Sequence, residues 1–166
     1  KSFKKFPEFN SIKKVFLYEK SNYLKMIQKK NISNKGVRWI DDLDCIKQGP
    51  VIFFGNEFFD AIPIKQFKKI NNRIFEKNYT LNKSYKIKEV FKKASETNIK
   101  IIKSYKTLKK LNFIELPKFG FQELRKIVDK ISKLKGCILM IDYGYLKPNN
   151  QNTLQSVMKH KKNNLL

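Results

Sequence analysis

Continuous apolar runs, more than alternating ones, mark the strands of this chain. "VFLY" at Val15 to Tyr18 ends in Glu19, the pattern of a strand covered on both faces. Ser21 can cap a helix over 22–30 that places Tyr23, Leu24 and Ile27 on one side, and Gly36 then turns the chain into a second strand, Val37 to Ile40. Gly49 and Pro50 punctuate before "VIFF" at Val51 to Phe54, and the stretch from Asp41 is long enough for a parallel crossover of about a dozen residues. Further on, Phe121, Leu124, Ile127, Val128 and Ile131 recur at helical spacing, Gly136 stands where a helix-ending glycine belongs, and "CILMI" forms an apolar strand ending at Asp142. Strands alternating with helices predict an α/β doubly wound sheet, and such sheets bind ligands at the carboxyl ends of their strands. Acids stand at or just beyond those ends: Glu19, Glu57 and Asp142.

Between "VIFF" and the last helix the periodicity breaks. "IKQFKKI", Asn71-Asn72 and "RIFEKNY" predict a hairpin around an Asn-Asn turn. Beyond it a helix is expected near Lys88 to Ser95 and a strand near Ile99 to Ile102. Residues 64–113 are expected to be an insertion on the sheet edge between the fourth and fifth strands of the doubly wound sheet. They hold too few apolar residues for a core of their own, so 1–166 reads as one partial domain.

The chain has 166 residues, enough for a single domain burying roughly 70% of its unfolded surface. Its formal charge of +23 suggests nucleic acid, but of its 37 basic residues only Arg38, Arg73 and Arg125 are arginine. The lysines are spread along the chain, and Asn, Ile, Phe and Tyr, which also have AT-rich codons, are abundant. Genome composition therefore accounts for much of the charge, and a dedicated nucleic-acid partner is not expected. No apolar run approaches the roughly 20 residues of a membrane span, and no apolar signal-peptide core opens the sequence. Cys45 and Cys137 lie far apart with His160 the lone histidine, so no metal site is expected and the thiols are expected to be free and buried.

Four blocks carry a resemblance: "GNEFFDAIPIKQF", "FIELP", "GCILMIDYGY" and "NTLQSVMKH", in that order. They resemble the MidA family of S-adenosylmethionine-dependent protein arginine methyltransferases, and "FPEF" and "VFLYEKS" extend the match to nearly the whole chain. The resemblance implies a class I methyltransferase (Rossmann-like) sheet and S-adenosylmethionine as cofactor. It implies a protein substrate bearing an arginine. In the mitochondrial members that substrate is a peripheral-arm subunit of respiratory complex I. The expected location is the bacterial cytoplasm, or the mitochondrial matrix in a eukaryote. The family's glycine-rich cofactor loop has no counterpart here, and the sheet is expected to be incomplete, as in a piece of a longer protein that is inactive by itself.

A guanidinium is planar, permanently charged and matched to carboxylates. Glu57 and Asp60 are therefore the expected catalytic pair, able to orient the guanidinium and accept its proton, with Asn56 beside them touching the cofactor or steadying Glu57. At a helix N-terminus the same three residues would merely cap it and favour its dipole. Glu19, at the end of its strand, is expected to accept from the cofactor ribose. Asp41 or Asp42 could hold the adenine amino group or belong to a capped turn. Asp142, Tyr143 and His160 are expected on the substrate side, Asp142 alternatively capping its strand end, with Gly144 allowing close backbone approach or a turn. Thr153 and Glu115 fit the family pattern as well. Two other classes remain: a non-catalytic complex I assembly chaperone on this fold, and an RNA-binding or RNA-methylating protein.

Overall fold

The computed structural model describes residues 14–33, 36–145, 150–158 and 161–163, with side chains through Ser156. In chain order its elements are β1 (Val15–Tyr18), α1 (Asn22–Asn31), β2 (Val37–Ile40), β3 (Val51–Asn56), β4 (Lys65–Ile70), β5 (Arg73–Leu81) and β6 (Ile87–Lys93). There follow α2 (Glu96–Ser104), β7 (Phe113–Leu116), α3 (Lys118–Leu134), β8 (Gly136–Ile141), β9 (Ser156–Met158) and β10 (Lys161–Asn163). By internal contacts the chain divides into two units, one of residues 1–53 with 125–139, the other of 54–124 with 140–166.

In the first unit β1 and β2 pair in parallel, Val15 opposite Val37 and Tyr18 opposite Ile40, and α1 is the crossover between them. Ser21 caps α1 as the sequence predicts, its Oγ accepting from Leu24 N at 3.2 Å. Ile40, Leu43 and Ile46 are buried just beyond β2. Lys130 of α3 fastens the short 3-10 turn there, donating to Asp44 at 2.8 Å and to the Ile46 carbonyl at 3.5 Å. The glycine expected to end α3 has another role. The left-handed residue after the helix is Lys135 (φ 58°). Gly136 instead begins β8, where a Cβ would fall 1.8 Å from the Val51 carbonyl oxygen. Val51 N donates to Lys135 O at 2.8 Å, which sets the register between β3 and β8.

The second unit is built on an antiparallel sheet of order β6-β5-β4-β7. The predicted hairpin is β4–β5, with Lys69 opposite Ile74. Asn71 and Asn72 both take positive φ (47° and 60°), the pairing that makes a two-residue turn follow the twist of its strands. The elements expected at 88–95 and 99–102 exchange types: β6 is a strand and α2 a helix. Residues 87–93 pair along β5 from Leu81↔Ile87 to Phe75↔Lys93, and their lysines are what an edge strand tolerates. Ser95 ends the strand and caps α2, accepting from Asn98 N at 3.3 Å. Ile99 and Ile102 then turn the same helical face onto the sheet.

Phe67, Ile74, Ala94, Ile102, Ile114 and Leu116 form one buried cluster. Four of the six lie within 64–113, and Ile114 and Leu116 of β7 complete the cluster, so this core is shared with the strand that follows. Few large residues suffice because the sheet and α2 bring each of them to the same layer, and Phe67, Ile102 and Leu116 lose all solvent contact. The two cysteines are exposed rather than buried.

Candidate functional site

In the second unit Glu57, Asp60 and Asp142 stand where β3 and β8 finish side by side. The two strands are neighbours, and Glu57 N donates to Ile141 O at 2.7 Å as they end. Gly55 is buried beneath this junction, and a Cβ there would meet the Met140 thioether at 2.7 Å and Phe58 Cβ at 3.1 Å. The chain then reverses through a turn at 57–62, closed by Ile62 N donating to Phe59 O at 3.1 Å. It is a turn rather than a helix, so no helix dipole accounts for Glu57 and Asp60. Glu57 adopts a left-handed conformation, φ 52°, which costs a non-glycine residue about 1–2 kcal/mol and holds only where neighbours over-determine it.

Asp142 supplies that constraint. Its Oδ2 accepts from Phe59 N at 3.0 Å, and its Oδ1 from Tyr143 N at 3.0 Å. The carboxylate expected on the substrate side thus fastens the Glu57 turn to the end of β8. Tyr143 lies beside it. The Glu57 charge, then a hydrogen bond to Glu57, and more weakly the charge of Asp60 raise the phenol pKa above the ordinary tyrosine value. Glu57, Asp60, Asp142 and Tyr143, separated by more than eighty positions in sequence, therefore share one exposed surface. Phe58 and Phe59 stack edge to face at 5.2 Å, and Phe59 also packs near Gly120 at the start of α3. Gly144 does not mark a close approach, since a Cβ there would meet nothing within 4 Å.

A second polar cluster in the same unit joins Glu115 and Thr153, which fit the family pattern, to partners that the sequence did not indicate. Glu115 on β7 accepts from Gln66 Nε2 at 2.8 Å and Thr153 N at 3.0 Å, and from the Thr153 hydroxyl. Buried Gln66 also donates to Asn152 Oδ1 at 2.7 Å. Asn112 N donates to Asn150 Oδ1 at 2.7 Å. The segment 150–154 is thereby sewn to β4 and β7. Nothing along the chain could have paired Gln66 with Asn152: register sets Gln66 opposite Glu115, and the return of the chain after β8 brings Asn152 to them. His160 lies outside the described residues.

The candidates for the cofactor stand mostly in the first unit. Glu19 closes β1, with Oε1 accepting from Ser21 N at 2.8 Å and Oε2 from Gln28 Nε2 at 3.2 Å. Gln28 in turn accepts from Trp39 Nε1 at 2.8 Å. A carboxylate has about four lone-pair sites, so Glu19, only partly buried, keeps acceptors for two ribose hydroxyls. Asp41 pairs with Lys25, and Asp42 caps the following turn, accepting from Asp44 N at 2.9 Å. Both acids thus have local work. Asn56 ends β3, exposed and next to Glu57. The donor set at Glu19 suits a nucleoside diol, and no group of three or more His, Cys, Asp or Glu among the described residues could hold a metal.

Residues 1–166 match a family model described as "Putative S-adenosyl-L-methionine-dependent methyltransferase". The chain belongs to this family. A relative, the Caenorhabditis elegans protein named "Protein arginine methyltransferase NDUFAF7 homolog, mitochondrial", is 30% identical over 138 residues, covering 80% of this chain and 32% of its own length. The chain thus spans about a third of that relative. Among solved structures, an uncharacterised Burkholderia thailandensis protein superposes with a TM-score of 0.71 at 15% identity, over 91% of this chain and 42% of that one. A second Burkholderia thailandensis protein, described as a "likely methyl transferase" and bound to S-adenosyl-homocysteine, gives 0.59 at 16% identity, over 80% and 35%. These likenesses establish the class I methyltransferase fold, and the family is one defined by S-adenosylmethionine.

Proposed function

We propose that this chain is the substrate-facing portion of an S-adenosylmethionine-dependent methyltransferase that acts on arginine guanidinium of a protein. The observation that carries this reading is the acidic surface at the ends of β3 and β8, where Glu57 is held by Ile141 O and the Asp142-fastened turn beside Asp60 and Tyr143. Three of the chain's 14 acids, Glu57, Asp60 and Asp142, meet at the ends of these two strands in a chain of net charge +23, and carboxylates at the ligand-binding end of a sheet suit a cationic substrate. The name of the nematode relative supports the same substrate class. A respiratory complex I subunit, expected from the family resemblance, is the candidate partner, with the matrix as location in a eukaryote. Among the described residues no helix is long and apolar enough to cross a membrane.

The bound cofactor would supply an electrophilic methyl group. The protein's residues do the rest. Glu57 accepts hydrogen bonds from the guanidinium and draws its lone pair toward one nitrogen, Asp60 receives the proton released from that nitrogen, and Tyr143 holds the Glu57 carboxylate in orientation. Hydrogen bonds to charge are worth roughly 1.5–3 kcal/mol, and positioning the nitrogen adds about 7–11 kcal/mol. Within the first unit Glu19 would accept from the ribose hydroxyls and Asp41 or Asp42 from the adenine amino group, while Asn56 in the second unit would touch the cofactor or steady Glu57.

The test is methyl transfer from labelled S-adenosylmethionine by the full-length protein, in lysate from a strain lacking it, wild type against Glu57→Gln. Methylarginine that falls by roughly 10- to 150-fold in the isosteric variant is expected. Demonstrated cofactor binding with no methylarginine would overturn the reading in favour of a chaperone on this fold.

A further inference from the structure

The second unit also contains a cavity of about 500 Å³ that is remote in sequence from the acidic surface, lined by Lys69, Asn72, Ile74, Ile102, Lys103, Lys109, Lys110 and Ile114. Its size falls within the usual range of ligand sites. It forms where the end of α2 and the 3-10 turn Leu108–Lys110 cover the β4–β5 turn and β7. Ile74, Ile102 and Ile114 belong to the buried core and form a base with almost no exposed surface (8%, 0% and 1%), so a ligand meets the side chains around it. Four lysines stand around that base and no carboxylate lines it.

Neighbouring lysines on the same sheet are treated differently. Lys65 pairs with Glu76, and Lys77 with Glu89 at 2.7 Å. Among the described residues none of the ion pairs involves Lys69, Lys103, Lys109 or Lys110. Four like charges brought to one hollow repel one another, and an anion seated among them relieves that repulsion. The lining further narrows the anion. It contains neither arginine, whose fork suits phosphate, nor an aromatic ring on which a base could stack. What it offers is compact ammonium charge on flexible apolar stems and the Asn72 amide, which suits carboxylate side chains carried on a polypeptide.

We infer that this cavity is a docking site for an acidic polypeptide segment, separate from the acidic surface at Glu57. The inference rests on the reading of the substrate as a protein. It assigns that protein two features of opposite sign, an arginine at the acidic surface and a Glu/Asp-rich segment at the lysine cavity.

The experiment measures binding by fluorescence anisotropy to the full-length protein, without methyl donor. The probes are a labelled peptide alternating Glu with Leu, a labelled uridine oligonucleotide of equal charge, and tripolyphosphate as competitor. The expected result is that the peptide binds most tightly and that Lys103→Glu/Lys109→Glu/Lys110→Glu weakens it about tenfold or more. Lys83→Glu/Lys86→Glu/Lys88→Glu, an equal charge change at the β5–β6 hairpin, should change it less than about twofold. Circular dichroism melting establishes that both variants fold. Absent peptide binding, equal losses in the two variants, tighter binding of the oligonucleotide, or displacement by tripolyphosphate at lower charge concentration than peptide would each overturn the inference. Peptide binding together with failed methylation would strike the proposed reaction and leave the docking site standing.

Discussion

Replacing Asp142 by alanine removes the one side chain that holds Phe59 N, and with it a restraint on the turn carrying Glu57. The contact is solvent-exposed, so water replaces part of it and the net loss is about 0.5–1.5 kcal/mol. The left-handed Glu57 stores about 1–2 kcal/mol. What remains to hold the turn is Glu57 N to Ile141 O at 2.7 Å and Ile62 N to Phe59 O at 3.1 Å. Loss and stored strain are comparable, so the turn should open locally while the core cluster at Phe67 and Ile114, which Asp142 does not touch, stays folded. Hydrogen exchange on the full-length protein, followed in the peptide covering Gly55 to Ile62, should accelerate by about 2- to 12-fold, with the melting temperature nearly unchanged. Asp142→Asn keeps an oxygen acceptor and should restore most of the protection. Methyl transfer should follow the same order, falling in kcat more than in KM because Glu57 is misplaced rather than removed. Unchanged exchange in Asp142→Ala would refute the account of Asp142 as a positioning residue. So would an asparagine variant as impaired as alanine, which would instead make the charge itself the substrate contact.

Gly136→Ala should be far more severe, costing about 3 kcal/mol or more in chemical denaturation, because its Cβ would lie 1.8 Å from Val51 O at a backbone φ of 156°. Glu115→Ala leaves Thr153 and one Gln66 bond without an acceptor, and a destabilisation of about 1–3 kcal/mol is expected, with faster exchange confined to the segment 150–154. Tyr143 has a folded pKa raised chiefly by the Glu57 charge, so its hydrogen-bonded contribution is full below the ordinary tyrosine pKa of about 10 and is lost as pH rises through the higher folded value. Tyrosinate absorbance should therefore show a late transition that disappears in Tyr143→Phe and moves down in Glu57→Gln; a transition unmoved by Glu57→Gln would separate the two side chains.

Local chemistry determined much of this protein from the sequence alone. The apolar runs located β1, β3 and β8, although the two-sided cover expected of them is not found, since Ile52, Phe54, Leu139 and Ile141 are exposed. Ser21 announced α1 and Asn71-Asn72 the hairpin, because capping and positive φ are properties of one or two residues. Glu57 and Asp60 stood out as acids in an apolar, basic context. Periodicity failed from Lys88 to Ile102, where a lysine-rich edge strand and a short capped helix have similar composition and only pairing with β5 separates them. The core of the second unit escaped for the same reason: Phe67, Ile74, Ile102 and Leu116 are sparse along the chain and adjacent only in the folded layer. The tertiary structure alone decided that Asp142 fastens the Glu57 turn, that Glu115 and Gln66 anchor Asn152 and Thr153, and that four dispersed lysines share one cavity. Each of these depends on strand register and chain reversal, which bring together positions that no local pattern relates.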